Sequence, residues 1–150
     1  MGYMDTGGRH VTIRSLLAAL ALAGAWTAAA ATELRSDFAR VMRGARVFQQ
    51  HCAACHGRTA QGSPDWRRRG PDGRFPPPPL DGSGHAWHHP TAVLREVIRE
   101  GTVKDGGGMP AWKGRLDEGQ IDDVIAWIQS RWPEPVYRRW QEIERRSGRR

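Results

Sequence analysis

The run Cys52-Ala53-Ala54-Cys55-His56 constrains the fold of this chain more than any other feature. Two thiols three positions apart fall on one side of a single helical turn, and an imidazole follows directly. That is the spacing by which a porphyrin is held as c-type haem: each thiol adds across one vinyl group, and the histidine offers a ring nitrogen to the iron. Other readings of the two cysteines are weaker. A disulfide closing so small a loop would stabilise little. Thioredoxin-like chemistry lacks the preceding strand and βαβ context. A zinc site needs two further ligands, for which His85, His88 and His89 are the candidates.

The length, 150 residues, suits one domain. The charge is basic, with 23 Lys and Arg against 16 Asp and Glu, and Lys104 and Lys113 are the only lysines. Such a balance suits an acidic protein partner, an anionic membrane surface or a nucleic acid. The N-terminus narrows that choice. Arg9, His10 and Arg14 precede an apolar run over 16–31 that ends in four alanines. A charged n-region, an apolar h-region and small residues at a cleavage site read as an export signal over 1–31. The run is shorter than the ~20 residues of a comfortable span, although an uncleaved segment would serve as a membrane anchor. Removing 1–31 leaves 21 basic against 15 acidic residues. The expected protein is thus periplasmic, and nucleic acid drops out as a partner.

Four stretches have helical periodicity. The first runs over about 37–55, with Phe38, Val41, Met42, Ala45, Phe48 and Cys52 along one side. The second spans about 90–100, with Pro90 in its first turn, Gly101 as its stop, and Val93, Leu94, Val97 and Ile98 as its stripe. In the third, Asp117 and Gln120 form a capping-box variant. Leu116 and Ile121 stand at the staple positions, and Ile121, Val124, Ile125, Ile128 and Trp132 form the apolar face. A fourth follows Pro133 and Pro135, with Val136, Trp140 and Ile143 at helical spacing and Gly148 at its end. Between the first two lies a long aperiodic segment, 57–89, holding Arg67, Arg68, Arg69 and four prolines over 76–79. A loop of that length argues against a compact domain unless it wraps something bulky. A haem is such an object. The expected fold is all-α, with short helices and long loops around one covalent cofactor.

His56 fills one axial position of the iron, and the other needs a second side chain. Apart from the first 31 residues the methionines are Met42 and Met109. Met42 lies ten residues before Cys52 on the same helix and cannot reach the opposite haem face. Met109 lies 53 residues after His56, in Gly106-Gly107-Gly108-Met109-Pro110. Glycines allow close approach to a flat ligand, and proline stiffens the turn that aims the sulfur. The competing reading of a lone methionine is core packing, for which this loop is poorly suited. His85, His88 and His89 compete as ligands and would give a lower potential than His/Met. Copper on the same histidines is a further alternative.

Over about 40–132 the chain resembles the class I cytochrome c family, of the small bacterial monohaem kind. The resemblance rests on Gly44 and Phe48 at four-residue spacing before Cys52, the haem signature itself, Pro78-Pro79-Leu80, Met109-Pro110-Ala111-Trp112, and an aromatic C-terminal helix. It implies that the first and last helices of the domain cross at a Gly/aromatic contact, with Gly44 and Phe48 opposite Val124 and Trp127. It also implies that the carbonyl of Pro78 accepts a hydrogen bond from His56, orienting the imidazole and raising its basicity. The arginine-rich insert and everything after Trp132 lie outside the minimal family pattern.

The organisation expected is therefore a signal over 1–31, a cytochrome c domain over 32–132, and a basic helical extension over 133–150. Residues 131–150 carry seven arginines against three glutamates. The extension reads either as an amphipathic helix folded back on the body or as a docking element for a redox partner or membrane surface. The function expected is single-electron carriage on haem c, held by Cys52 and Cys55 and ligated by His56 and Met109, with no catalytic residue. The expected carrier is a monomer that meets redox partners through an acidic docking surface of theirs. The alternative is the haem subunit of a membrane-associated dehydrogenase or oxidase complex, and a colourless zinc or copper module is a third reading.

Overall fold

A computed structural model describes residues 37–149. The expected export signal and its boundary at 31/32 lie outside the described residues. Helix α1 occupies 37–51 and is followed at once by the short helix α2, Ala53–His56. Three longer elements complete the helical set: α3, Thr91–Glu100; α4, Glu118–Ser130; and α5, Glu134–Ser147. Two 3-10 turns, Ala86–His88 and Val103–Asp105, punctuate the connections. Among the described residues no strand forms beyond one isolated bridge, Lys113 to Leu116. None of their helices is long and apolar enough to cross a membrane. The all-α expectation is met.

The core is organised by the crossing of α1 and α4. At Gly44 the two backbones approach so closely that a Cβ there would lie 1.9 Å from the Asp123 carbonyl oxygen. One turn on, Phe48 is fully buried and its ring centroid lies 4.2 Å from that of Trp127. Ile121, Val124 and Ile125 fill the space beside it. Arg43 clasps the buried Asp123 with two hydrogen bonds, 2.6 Å from Nε and 2.9 Å from Nη2, which satisfies a carboxylate next to the crossing. The start of α4 is fixed by the anticipated box: the Asp117 side chain accepts from the Gln120 N–H, and the Gln120 side chain accepts from the Asp117 N–H.

The buried side of α1 differs from the apolar stripe read in its sequence. Gly44, Val47 and Phe48 are buried, while Phe38 and Met42 are exposed. The crossing is centred on a glycine, so the inward face follows backbone approach and not the largest apolar side chains. In α3, Leu94 and Ile98 pack against the core, whereas Val93 and Val97 face outward. Pro90 stands at the N-cap of α3, one position before the first turn.

Candidate functional site

The thiols and the imidazole share one turn. The Cys55 and His56 N–H groups both donate to the Cys52 carbonyl, at 3.1 and 2.9 Å. Cys52 is half-buried and Cys55 exposed, and both are free thiols. Burial pushes the Cys52 thiol up to about 11, with the neighbouring Cys55 adding to the shift. At neutral pH it is therefore protonated.

Directly after His56 the chain reverses. Gly57, at φ +80, ends the turn, and the Gly62 N–H returns to the His56 carbonyl at 2.7 Å. Residues 60–63 then run beside 77–80, joined by Ser63 N–H to the Pro77 carbonyl (2.9 Å) and Leu80 N–H to the Ala60 carbonyl (2.8 Å). Gly62, at φ +61, abuts Pro78: a Cβ would lie 2.4 Å from the Pro78 carbonyl carbon. This close fit presses the Pro78 carbonyl onto the imidazole, 3.0 Å from His56 Nδ1. A carbonyl only accepts, so Nδ1 carries the proton and Nε2 keeps its lone pair. Burial lowers the His56 pKa, against a smaller raising effect of the Pro78 bond. The ring is held neutral and aimed, the state a metal ligand needs.

Met109 sits in a loop closed on itself. The Thr102 N–H donates to the Met109 carbonyl at 2.9 Å, and the Met109 N–H donates to Thr102 Oγ1 at 3.1 Å. The Gly107 N–H donates to the Thr102 carbonyl at 2.8 Å. Gly101 (φ +66) lies against the same loop, where a Cβ would come within 2.6 Å of the Met109 carbonyl oxygen. Just beyond, the Trp112 N–H binds the carbonyls of Ile98 and Arg99, each at 3.1 Å, which anchors the loop to the end of α3. The Trp112 ring meets His51 edge-on with centroids 5.4 Å apart. That contact brings the chain after Met109 beside the residue preceding Cys52. No hydrogen bond of Met109 itself reaches the His56 turn.

The histidines of 85–89 do something else. His85 stacks on Trp66 (5.3 Å), His89 meets His85 edge-on (5.9 Å), and His88 packs against Trp87 (3.8 Å). Among the described residues no group of three or more His, Cys, Asp or Glu side chains could hold a metal ion. Neither the zinc reading of Cys52 and Cys55 nor the copper reading of His85–His89 finds an assembled donor set among the described residues. Those imidazoles make ring contacts around the 3-10 turn. The donor chemistry at Cys52, Cys55 and His56 fits a thioether-bound porphyrin, with Leu80 paired to Ala60 and Trp112 against His51 adding apolar surface beside the turn.

The family model described as cytochrome c oxidase, cbb3-type, subunit III matches residues 39–128. The chain belongs to this family of c-type cytochrome domains. The cytochrome c domain is 35% identical over 95 residues to the Cbb3-type cytochrome c oxidase subunit CcoP of Azospirillum sp. (strain B510), covering 63% of this chain and 30% of that protein. It is 33% identical over 87 residues to the Cbb3-type cytochrome c oxidase subunit FixP of Bradyrhizobium sp. (strain ORS 278), covering 58% of this chain and 26% of that protein. It is also 31% identical over 85 residues to cytochrome c6 of Bryopsis maxima, covering 57% of this chain and 84% of that protein. The chain thus spans less than a third of the length of the two oxidase subunits. No solved structure matches it. As a cytochrome c domain it is an electron-transfer module, and the matched segment contains Cys52, Cys55, His56, Pro78 and Met109 while stopping before α5.

Several residues around this site were not singled out by sequence reasoning. Gly62 and Thr102 shape the two loops, and His51 meets Trp112 of the Met109-Pro110-Ala111-Trp112 stretch; Gly62, Thr102 and His51 belong to no motif. Thr102 directly follows the helix-stopping Gly101, a place where a turn-closing hydroxyl is common, and that was the one available signal.

Proposed function

We propose that this cytochrome c domain carries single electrons on one covalently attached haem c, as the electron-transfer part of a membrane-associated oxidase or dehydrogenase complex. The observation that carries this reading is the 3.0 Å bond from His56 Nδ1 to the Pro78 carbonyl inside the Cys-x-x-Cys-His turn. It gives the imidazole the tautomer and orientation that an axial ligand requires. Cys52 and Cys55 would tether the porphyrin, with His56 and Met109 as its axial ligands. When bound, the haem supplies reversible exchange between ferrous and ferric iron. The chain holds His56 neutral and buried and confines Met109 within its closed loop. A thioether ligand and burial favour the ferrous form, so the potential is positive.

The relatives described as oxidase subunits support the complex as destination. The basic surface supports acidic protein partners, and residues 1–31 support a periplasmic location, by export or by anchoring. A second reading, a freely diffusing monomeric carrier, draws on the cytochrome c6 relative, most of whose length this chain covers. Reduced and oxidised absorption spectra of the purified chain test the first point, with covalent haem and a sulfur-to-iron band expected. A colourless protein from a strain competent in cytochrome maturation would end it. Affinity purification from membranes separates the destinations: an oxidase complex is expected to follow the tag, and a lone monomer would favour the diffusing carrier.

A further inference from the structure

Glu144, near the end of α5, accepts a 2.7 Å hydrogen bond from the backbone N–H of Thr91, 53 residues earlier. Thr91 begins α3, and its N-cap is Pro90, which makes no side-chain cap. The first N–H groups of a helix have no partner within it, and a carboxylate there also meets the positive end of the helix dipole. The C-terminal helix therefore supplies the cap that α3 lacks.

The residues leading into α5 grip the chain beside Pro78, the proline on His56. Trp132 Nε1–H donates to the Leu80 carbonyl at 2.9 Å, two residues past Pro78. Gly82 fits beneath the same corner, where a Cβ would lie 2.8 Å from Pro133 Cδ. Trp140 is buried between the two ends, edge-on to Trp132 with centroids 5.8 Å apart. Between these points α5 packs on the 3-10 turn Ala86–His88. The helix thus spans the segment from Leu80 to Thr91. None of the residues of α3 is itself fully buried; Leu94 and Ile98 lean on the core and Arg95 pairs with Asp122 of α4, and the two ends complete its hold. Its far end carries Gly101 against the Met109 carbonyl and receives the Trp112 N–H.

We propose that α5 is a strap that positions the Met109 loop through α3, with Glu144 as the positioning residue, while Trp132 steadies the Pro78 side. The inference deepens the ligand assignment above and rests on it for its effect on the iron. Amide exchange, by contrast, reports on the strap whatever ligates the iron.

The test uses the full-length holoprotein carrying Glu144→Ala, Glu144→Gln or, as control, the exposed Glu142→Ala. The rate of cyanide binding to ferric haem and hydrogen exchange at individual amides are measured together. Glu144→Ala is expected to speed cyanide binding and exchange at 91–100, Thr102 and Met109 by about tenfold, the scale of one lost charge-assisted hydrogen bond. Amides of α1 and α4 stay as slow as in the parent. Glu144→Gln keeps a carbonyl acceptor and restores both readouts part of the way, and Glu142→Ala matches the parent. Unchanged rates in Glu144→Ala, or a uniform rise across all helices, would overturn the strap. A parent that binds cyanide without resistance would instead overturn Met109 as ligand, leaving the local exchange response to decide the strap.

Discussion

The Pro78 carbonyl faces His56 Nδ1 at 3.0 Å because Gly62 leaves room for it. A methyl at Gly62 would meet the Pro78 carbonyl carbon at 2.4 Å and sit on a backbone at φ +61 that side chains disfavour. Gly62→Ala in the holoprotein is expected to push Pro78 away and weaken the bond. The imidazole then loses electron density, ferric iron is less stabilised, and the midpoint potential rises. One neutral hydrogen bond is worth about 1 kcal/mol and a tenfold equilibrium change is about 59 mV for one electron, so the rise is a few tens of millivolts. Pro78→Ala keeps the carbonyl and should shift the potential less. Spectroelectrochemical titration of both variants checks the order, and an unmoved potential in Gly62→Ala would contradict it.

The crossing of α1 on α4 has no slack at Gly44. A Cβ 1.9 Å from the Asp123 carbonyl oxygen cannot be absorbed by a side-chain rotation, because its two nearest obstacles, that oxygen and its carbon, are backbone. Gly44→Ala is expected to cost about 2–3 kcal/mol by overpacking, lowering Tm by about 10 °C or more for a domain of this size. Thermal unfolding followed by circular dichroism measures it. A loss under ~2 °C would mean that the helices part easily.

Thr102 closes the Met109 loop through its hydroxyl as well as its backbone. Thr102→Val removes the acceptor for the Met109 N–H while keeping the shape. Loss of that bond, about 1 kcal/mol, should raise the fraction of loop-open molecules roughly fivefold. Imidazole would then bind ferric haem correspondingly faster, with little change in Tm. Stopped-flow binding kinetics separate this from general destabilisation, which would move both quantities.

His85 titrates low. Burial, then His89, His88 and Arg67, hold its pKa below the ordinary 6.5. The folded state therefore resists a proton that the unfolded chain accepts. As pH falls through 6.5 the unfolded state gains that proton first, so stability declines until the folded-state pKa is reached and then levels. Partial exposure keeps the effect small. A proton NMR titration of the His85 ring should give a midpoint below 6.5, and Arg67→Ala should move it upward. A midpoint at or above 6.5 in the parent would contradict the arrangement.

Local chemistry made much of the architecture legible. The Asp117/Gln120 box and the Ile121–Ile128 face announce α4 by short-range spacing, and Gly44 with Phe48 marks the crossing through a family pattern. The inward face of α1 was misjudged at Phe38 and Met42, since counting apolar bulk overlooks a glycine that buries backbone. Pro78 could be chosen from four consecutive prolines only by analogy, because its selection depends on Gly62, sixteen residues away. The bond from Glu144 to Thr91 had no local signature at all. Two residues 53 positions apart meet there because Trp132 and Trp140 set the path of α5.

The pairing of Ser63 with Pro77 has a consequence for the arginine-rich insert. It buttons that excursion shut at its base, immediately outside the residues that bear on the imidazole. Trp66 and Arg67 reach out of it to His85; beyond them the excursion can lengthen, shorten or change composition without transmitting the alteration to the His56 imidazole. Evolution is thereby given a free port on this side of the molecule, where recognition can be rewritten while the redox centre keeps its tuning.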